Sequence, residues 1–196
     1  MKSWNNFFKK NDGNSFPHQS LIVFFNRKFS KIKTKVDILD LGCGTGSTSM
    51  LIKKKNYYLD CVDISSIAIN KFKNKNKNKN IKIFKSSFNN FLENSKKKYD
   101  LIIDSASLQH QSEYDLRLSY SLINKNLKKK GFFLSINLNS AKGLNDESFS
   151  VTKLNKNKLL KLFKLSKLKN IDYNYYIYTE NNSKHFIKLN LISGQK

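Results

Sequence analysis

The chain has 196 residues, 39% of them hydrophobic and one of them proline, which fits a single globular domain and argues against disorder. Its apolar runs fall short of the roughly 18 residues of a membrane-spanning helix, and its N-terminus, MKSWNNFFKK, lacks the continuous apolar region of a signal peptide. The two cysteines, Cys43 and Cys61, lack the CxxC spacing of a zinc site, so we expect buried, reduced thiols in a cytoplasmic protein without a metal site.

The charge of the chain leaves two interpretations open. Lysine and arginine number 37 against 14 acidic residues, and the net charge of +23 is typical of proteins that bind nucleic acid. Only Arg27 and Arg117 are arginines, however, whereas phosphate recognition favours the bidentate guanidinium group. Lysine instead alternates with asparagine at residues 73–80, which we expect to be an exposed, mobile connection. We favour a solvated lysine-rich surface and keep nucleic acid as an alternative partner.

The first 16 residues are expected to form an arm that precedes the core. Trp4, Phe7 and Phe8 lie there among polar residues. Two roles stay open for these aromatic side chains, one as a lid over a substrate and the other as an anchor packed on the core. Pro17 then suits the first turn of a helix predicted over residues 17–29.

The rest of the chain alternates between strand and helix patterns. Strands are predicted over residues 36–41, 57–63, 81–84, 99–104, 132–138, 171–178 and 185–192. Helices are predicted over residues 46–54, 66–74, 88–94, 113–126 and 153–165, with a loop over 143–150 and a turn over 180–183. This alternation, ending in a hairpin, predicts an α/β fold with one mostly parallel sheet and helices on both faces.

Residues 36–63, VDILDLGCGTGSTSMLIKKKNYYLDCVD, carry the strongest functional signal. An apolar strand meets Asp40, three glycines follow at Gly42, Gly44 and Gly46, and a second apolar strand ends at Asp63. Strand, glycine loop, helix, strand and acid are the parts from which a parallel α/β sheet builds a nucleoside pocket.

The acid before the glycines indicates which nucleoside this loop binds. The spacing departs from the dinucleotide pattern G-x-G-x-x-G, since its third glycine would fall at Ser47. Asp40 would also repel a pyrophosphate, and it favours a cationic ligand such as S-adenosylmethionine, which carries an ammonium and a sulfonium group. Asp63 is placed to accept hydrogen bonds from both ribose hydroxyls.

The motif ILDLGCGTG followed by VDIS resembles the class I S-adenosylmethionine-dependent methyltransferases. The similarity continues through KSSF at 85–88, YDLIIDSASLQH at 99–110 and LKKKGFFL at 127–134, and it covers roughly residues 17–192. It implies a Rossmann-like three-layer sandwich whose seven-stranded, mostly parallel sheet has the order 3-2-1-4-5-7-6, with an antiparallel last strand. Residues 1–196 would then form one methyltransferase domain, with an N-terminal arm over 1–16 and a core over 17–192.

The resemblance also implies roles for individual residues. The methionine part of the cofactor would lie on the glycine loop, the ribose on Asp63 and the adenine against Ile64. The complete set of expected cofactor-binding residues is Asp40, Gly42, Cys43, Gly44, Gly46, Asp63, Ile64, Ser87, Phe88, Asp104 and Ser105. Relatives often have a basic residue and a glycine at the positions of Ser105 and Ala106, and an acid near Ser87.

Methyl transfer needs an aligned acceptor and, for some acceptors, a base. His110 is the candidate base, since imidazole titrates near neutrality; the alternative is a histidine that caps or packs the next helix. His18 and His185 are weaker candidates. Asp104 is the second candidate catalytic residue, to position substrate or to hold the cofactor amine. The side chains that could line a pocket or face the sulfonium as a cation–π wall are Trp4, Phe7, Phe8 and Tyr114.

The predicted function is methyl transfer from S-adenosylmethionine, with S-adenosylhomocysteine as product, to a small-molecule acceptor. Strand four ends in IIDSAS and lacks the Asn-Pro-Pro-aromatic loop of methyltransferases that act on adenine, cytosine or glutamine. An RNA or protein methyltransferase that uses the basic surface is the first alternative. The second is a cofactor-binding subunit without catalysis of its own. The sequence leaves the acceptor and the oligomeric state open.

Overall fold

The computed structural model describes residues 4–52, 54–142, 151–179 and 186–196. Its α-helices are α1 (Trp4–Lys10), α2 (Gln19–Phe29), α3 (Ser66–Lys75), α4 (Phe88–Asn94), α5 (Glu113–Asn126) and α6 (Lys156–Leu165). Its strands are β1 (Val36–Leu41), β2 (Tyr57–Asp63), β3 (Ile81–Lys85), β4 (Tyr99–Ser105), β5 (Leu127–Lys142), β6 (Lys169–Thr179) and β7 (Phe186–Gln195). Two short 3-10 helices cover Ser47–Leu51 and Leu108–His110.

All seven strands form one sheet in the order β3-β2-β1-β4-β5-β7-β6. Neighbouring strands from β3 to β5 pair in parallel, and β7 runs antiparallel to both β5 and β6. The predicted fold class, strand order and antiparallel last strand are therefore confirmed. Because parallel strands share one direction, the residues that follow β1, β2 and β4 meet at the same edge of the sheet.

Helices cover both faces of the sheet, which gives the predicted three layers. On one face α4, α5 and α6 bury a core around Leu92, Tyr120 and Phe163. On the other face α2 and α3 bury a second core that includes Phe25 and Phe72. The strands between these layers are buried on both sides, and every residue of β1 is buried, as expected of a parallel sheet.

The connection between β1 and β2 corrects the prediction of a helix over residues 46–54. It contains one 3-10 helix, Ser47–Leu51, preceded by Gly46 in a left-handed conformation with φ of 93°. Leu51 is buried as expected, whereas Met50, predicted to face inward, is 43% exposed. A 3-10 helix has about 3.0 residues per turn against about 3.6 in an α-helix, so the neighbouring side chains of Met50 and Leu51 diverge more and only one of them is buried.

Other boundaries differ by a few residues. Strand β5 extends in both directions beyond the predicted residues 132–138, and α6 begins at Lys156, where the side chain of Asn155 caps it. Helix α2 begins at Gln19, after His18 as its cap. The predicted loop at 143–150, the turn at 180–183 and His185 lie outside the described residues.

The lysine–asparagine repeat is more ordered than the sequence predicts. Its first residues continue α3, and after the helix the asparagines are half-buried while Lys77 and Lys79 are exposed. Asn80 Nδ2 donates to the carbonyl oxygen of Lys55 at 2.9 Å, and Asn78 Oδ1 accepts from the backbone of Asn80 at 2.9 Å. The asparagines therefore fasten this connection to the loop that precedes β2. In the part of the chain that the structure describes, no helix is both long and apolar enough to span a membrane.

Candidate functional site

A cavity of about 470 Å³ lies at the edge of the sheet where β1, β2 and β4 end. Its size falls in the range of about 300–1,000 Å³ that is usual for small-molecule sites. The predicted cofactor-binding residues that line it are Asp40, Gly42, Cys43, Gly44, Asp63, Ile64, Ser87, Phe88 and Ser105, and the candidate base His110 lines it as well.

The glycine loop needs at least one of its glycines for steric reasons. Gly42 has a φ of 77°, and a Cβ atom there would collide with the side chain of Ser107. The Ser107 hydroxyl donates to the carbonyl oxygen of Leu41 and to Asp104 Oδ1. Gly42 thus lets the chain after β4 pack directly on the loop after β1.

Asp63 fastens the glycine loop to the start of α3. Its Oδ2 accepts from the backbone N–H of Gly44, and its Oδ1 accepts from that of Ser65, both at 2.8 Å. Burial raises the pKa of Asp63, and these backbone donors offset part of the rise. The carboxylate still lines the cavity, and two oxygens with about four acceptor positions leave room for ribose hydroxyls.

Asp40 places an unpartnered carboxylate oxygen at the cavity wall. The residue is 1% exposed, and its Oδ2 has no hydrogen-bond partner. The pKa of Asp40 is raised to about 7, chiefly by burial and to a smaller extent by the carboxylates of Asp63 and Asp104, while a hydrogen bond with the Thr48 hydroxyl opposes the rise. A buried carboxylate without a counter-ion is costly, because desolvation disfavours its charge. It therefore fits the ammonium group of the expected S-adenosylmethionine.

Two predicted site residues, Asp104 and Gly46, do not line the cavity. Asp104 is fully buried and accepts from the Ser107 backbone at 3.0 Å, the Leu108 backbone at 3.0 Å and the Ser135 hydroxyl at 2.6 Å. These hydrogen bonds order the loop after β4, and Asp104 lies behind the residues that line the cavity. A Cβ atom on Gly46 would collide with the Phe72 ring, so this glycine serves the packing of the loop on α3.

The two cysteines are buried free thiols that contact each other. A hydrogen bond with Cys61 and then burial raise the pKa of Cys43, so its sulfur stays a neutral thiol beside the cavity. Among the described residues, no group of three or more His, Cys, Asp or Glu side chains is arranged to hold a metal ion.

The N-terminal arm lies over the cavity as α1. Trp4, Phe7 and Phe8 line the cavity wall, and Phe8 is buried so close to Gly44 that a Cβ atom there would lie 3.3 Å from its ring. Asn5 Oδ1 accepts from the Ser65 hydroxyl at 2.8 Å, which attaches α1 to the start of α3. The arm is therefore both packed on the core and part of the cavity wall.

His110 lies opposite this arm. Its ring meets the Trp4 ring edge-to-face with centroids 4.9 Å apart, at the end of the 3-10 helix Leu108–His110. His18 instead caps α2 through Nδ1, which accepts from the Ser20 backbone at 3.2 Å, and it does not line the cavity. Tyr114 is 77% exposed and lies outside the cavity wall as well.

The polar cavity residues that the sequence analysis missed include Asn89, Gln111 and Asp115. Asp115 accepts from the Ser112 hydroxyl at 2.6 Å and from Asn89 Nδ2 at 3.2 Å. The spacing Ser112-x-x-Asp115 is the signal of a helix start. It could have placed Asp115 in the first turn of α5, close to the predicted loop after strand four.

Comparisons with known proteins agree with this architecture. A family model described as a methyltransferase domain matches residues 32–182. Among curated proteins, the chain is 32% identical over 72 residues to a ribosomal protein L11 methyltransferase of a Nitratiruptor species, a match that covers 37% of the chain and 25% of that protein.

Similar solved structures share the fold at low sequence identity. A phosphoethanolamine N-methyltransferase 2 of Haemonchus contortus has a TM-score of 0.72 at 14% identity and is matched over 98% of this chain and 56% of its own. TehB of Haemophilus influenzae has a TM-score of 0.70 at 18% identity, and the match covers 98% of this chain and 66% of TehB. A SAM-dependent methyltransferase of Archaeoglobus fulgidus has a TM-score of 0.72 at 16% identity, and the match covers 99% of this chain and 100% of that protein. The chain thus spans a quarter of the curated relative and about half of the first structure.

Proposed function

Since the chain belongs to the methyltransferase domain family, we propose that it transfers a methyl group from S-adenosylmethionine to a small-molecule acceptor. The predicted family is confirmed by the family match, and the similar solved structures share the fold. The methyl-transfer activity with S-adenosylmethionine as cofactor, the acceptor class and the role of each residue are our proposal. The predicted division into arm and core and the cytoplasmic location stay predictions.

The observation that carries the proposal is the unpartnered Asp40 oxygen in a cavity that also contains Asp63. When bound, S-adenosylmethionine supplies a methyl carbon that its sulfonium activates for in-line displacement. Asp40 would hold the ammonium group of this cofactor and Asp63 its ribose hydroxyls. Ile64 and Phe88 offer apolar surface beside the same wall for the adenine.

The remaining cavity residues would align the acceptor and exclude water. Helix α1 contributes Trp4 and Phe7 to the wall, so the arm restricts access from solvent. His110 faces the same space and could accept a proton from an acceptor that loses one. Because in-line displacement needs mainly alignment, this set of residues suffices without a metal ion or a nucleophilic side chain.

A small acceptor is favoured because helix α1 contributes three aromatic residues to the cavity wall. An RNA or protein methyltransferase remains the enzyme alternative, since the net charge is +23. A cofactor-binding subunit without catalysis would share the Asp40 and Asp63 wall. These alternatives differ in which molecules would receive the methyl group, so one experiment with a labelled methyl group separates them.

The experiment combines cofactor binding with methyl transfer. Calorimetry should show that the chain binds S-adenosylmethionine and S-adenosylhomocysteine, and that Asp63→Ala weakens binding by about tenfold or more through the loss of charge-assisted hydrogen bonds. Asp172→Asn is the matched control, because Asp172 is exposed on β6 and its loss changes the net charge equally. An unchanged affinity in Asp63→Ala would contradict the site.

Acceptors are then identified with cofactor that carries a labelled methyl group. The chain is incubated with a cell extract, and the products are separated into small molecules, protein and RNA. We expect label in the small-molecule fraction. Label confined to protein or RNA would overturn the small-molecule proposal, and cofactor binding without any transfer would support the non-catalytic alternative.

A further inference from the structure

We propose that the methyl acceptor is an amine, an inference that rests on the proposed function and names its substrate class. The observation behind it is the charge of the cavity wall. The chain has 37 basic and 14 acidic residues, yet the described residues that line the cavity include three aspartates, Asp40, Asp63 and Asp115, and no lysine or arginine. The cavity therefore has the opposite sign of charge from the rest of the molecule.

Such a wall discriminates between acceptors by charge. A carboxylate or phosphate acceptor would lose its hydration on entering and would meet aspartates without a neighbouring cation. An ammonium group would gain on the same path, because each carboxylate attracts it. The cofactor uses Asp40 and Asp63 under the proposed function, which leaves Asp115 for the acceptor.

Asp115 is built to present a fixed carboxylate. Oδ2 accepts from the Ser112 hydroxyl at 2.6 Å, and Oδ1 accepts from Asn89 Nδ2 at 3.2 Å. Both donors are neutral, so the negative charge of Asp115 is not compensated by them. A carboxylate has about four acceptor positions, so one donor on each oxygen leaves room for an ammonium group.

Aromatic rings complete a site for a cation. Trp4 and Phe7 line the cavity with ring centroids 5.7 Å apart, and His110 meets Trp4 at 4.9 Å. The faces of tryptophan and phenylalanine attract ammonium groups, most strongly where water is excluded. An aromatic wall near an uncompensated carboxylate is the combination that recognises an alkylammonium ion.

The reaction fits this charge pattern. The bound ammonium group first gives one proton to His110 or to water, which leaves a neutral amine. The nitrogen lone pair of this amine forms the new N–C bond while the C–S bond breaks with its electron pair going to sulfur, so the positive charge passes from sulfur to nitrogen. The transfer itself therefore keeps this positive charge inside a negative cavity, which favours the amine over an anionic acceptor.

The test compares an amine, an alcohol and an acid on each of two carbon scaffolds. The first series is butylamine, butanol and butyrate, and the second is 2-phenylethylamine, 2-phenylethanol and phenylacetate. Binding to the chain saturated with S-adenosylhomocysteine is followed by calorimetry and by the fluorescence of Trp4, which is the single tryptophan of the chain. On at least one scaffold the amine should bind about tenfold more tightly than the alcohol, with no detectable binding of the acid. Equal binding of amine and alcohol on both scaffolds, or preference for an acid, would overturn the proposal.

Variants then locate the charge that selects the amine. Asp115→Asn should weaken amine binding by about tenfold, whereas Asp115→Glu should retain the preference for amine over alcohol. Asp172→Asn is the charge-matched control, and thermal melting shows whether each variant is folded. An unchanged amine affinity in folded Asp115→Asn would contradict the role of Asp115. If S-adenosylhomocysteine itself fails to bind the unmodified chain, the proposed function falls; if it binds but no amine preference exists, only this inference falls.

Discussion

The two ends of the sheet treat their acidic residues in opposite ways. In β1 and β4 one aspartate lies near the beginning of the strand and one near its end, and in β2 one lies in the middle and one at the end. The first set, farther from the strand ends, is Asp37, Asp60 and Asp100, and the second set, nearer the ends, is Asp40, Asp63 and Asp104. The first set is paired with lysines, and the second set faces the cavity or lies just behind it.

In the first set of aspartates, lysines compensate the negative charge of the carboxylates. Lys128 Nζ lies 2.9 Å from Asp37 and 2.8 Å from Asp100, and Lys97 Nζ lies 2.9 Å from Asp60. Burial alone would raise the pKa of Asp37, but the ammonium groups of Lys128, Lys35 and Lys97 outweigh it and lower the pKa. This end behaves as a stabilising ion-pair network.

At the cavity end, burial acts without compensation by lysine. It raises the pKa of Asp40, Asp63 and Asp104, and only uncharged donors oppose the rise. Lysine and arginine number 37 in the chain, yet the ion pairs of the described residues include no lysine or arginine on Asp40 or Asp63, the carboxylates that a cationic cofactor would meet. The difference indicates that the cavity end gives up stability for binding.

The largest expected effect follows from removing the uncompensated charge of Asp40. In the free chain, Asp40→Asn should raise the free energy of unfolding at pH 8 by about 2–4 kcal/mol, at about 1.4 kcal/mol per unit of pKa shift. The pKa of Asp40 is raised from 3.8 to about 7, so the wild type loses stability as the pH rises from about 4 to about 7. The difference should vanish below pH 4, where both side chains are neutral. Chemical denaturation at several pH values measures it.

The same variant should bind S-adenosylmethionine at least about tenfold more weakly, because the ammonium group loses its carboxylate. Stabilisation and weaker binding in one variant would sharpen the contrast between the two ends. An Asp40→Asn variant that is less stable at pH 8 would show that the charge is compensated in some other way.

The next largest effect is expected at the paired end. Asp37→Asn should lower the free energy of unfolding at pH 7 by roughly 2 kcal/mol, since the partly exposed lysines lose a partner that is nearly buried. The lowered pKa means that this stability is present above the ordinary value of 3.8 and is lost as the pH falls below it. Cofactor affinity should not change. Reduced affinity in Asp37→Asn would break the separation of the two ends.

The smallest effect concerns the attachment of the arm. Asn5→Ala removes the acceptor of the Ser65 hydroxyl and should lower cofactor affinity by only about two- to fivefold, as expected for one partly buried hydrogen bond between neutral groups. Trp4 fluorescence should become more accessible to a soluble quencher such as acrylamide. Asn94→Ala, on the exposed side of α4, is the matched control. Unchanged quenching would mean that α1 is held by its aromatic contacts alone.

Much of the fold could be predicted because its signals are local. The apolar runs of β1, β2 and β4 are short and bounded by polar residues, and the helix predicted over residues 66–74 does begin at Ser66, after Ser65 as its cap. The strand order followed from the resemblance, since no local pattern encodes which strands become neighbours. The prediction of an α-helix after β1 was wrong. An apolar pattern reveals neither the left-handed conformation of Gly46 nor the 3-10 geometry of the residues that follow it.

The residues of the candidate site could be predicted only where they belong to one continuous sequence motif. Asp40, Gly42, Cys43 and Gly44 line the cavity because they lie at or just after the end of a single strand. Asp104 shares that position in its own strand, yet its carboxylate turns to Ser107 and Ser135, an orientation that depends on tertiary packing. The contact between Trp4 and His110 joins residues that are far apart in the sequence, and nothing local predicts it.

The central claim is that Asp40 is left without a cation so that the cofactor can supply one. The most direct test is the number of protons released when S-adenosylmethionine binds near pH 6.5, obtained by calorimetry in buffers of different ionisation enthalpy. At this pH the α-amino group of the ligand is already protonated, and Asp40, with a pKa of about 7 in the free chain, is largely protonated too. Binding should therefore release a large fraction of one proton from the wild type and none from Asp40→Asn. Equal proton release by the two proteins would contradict the account.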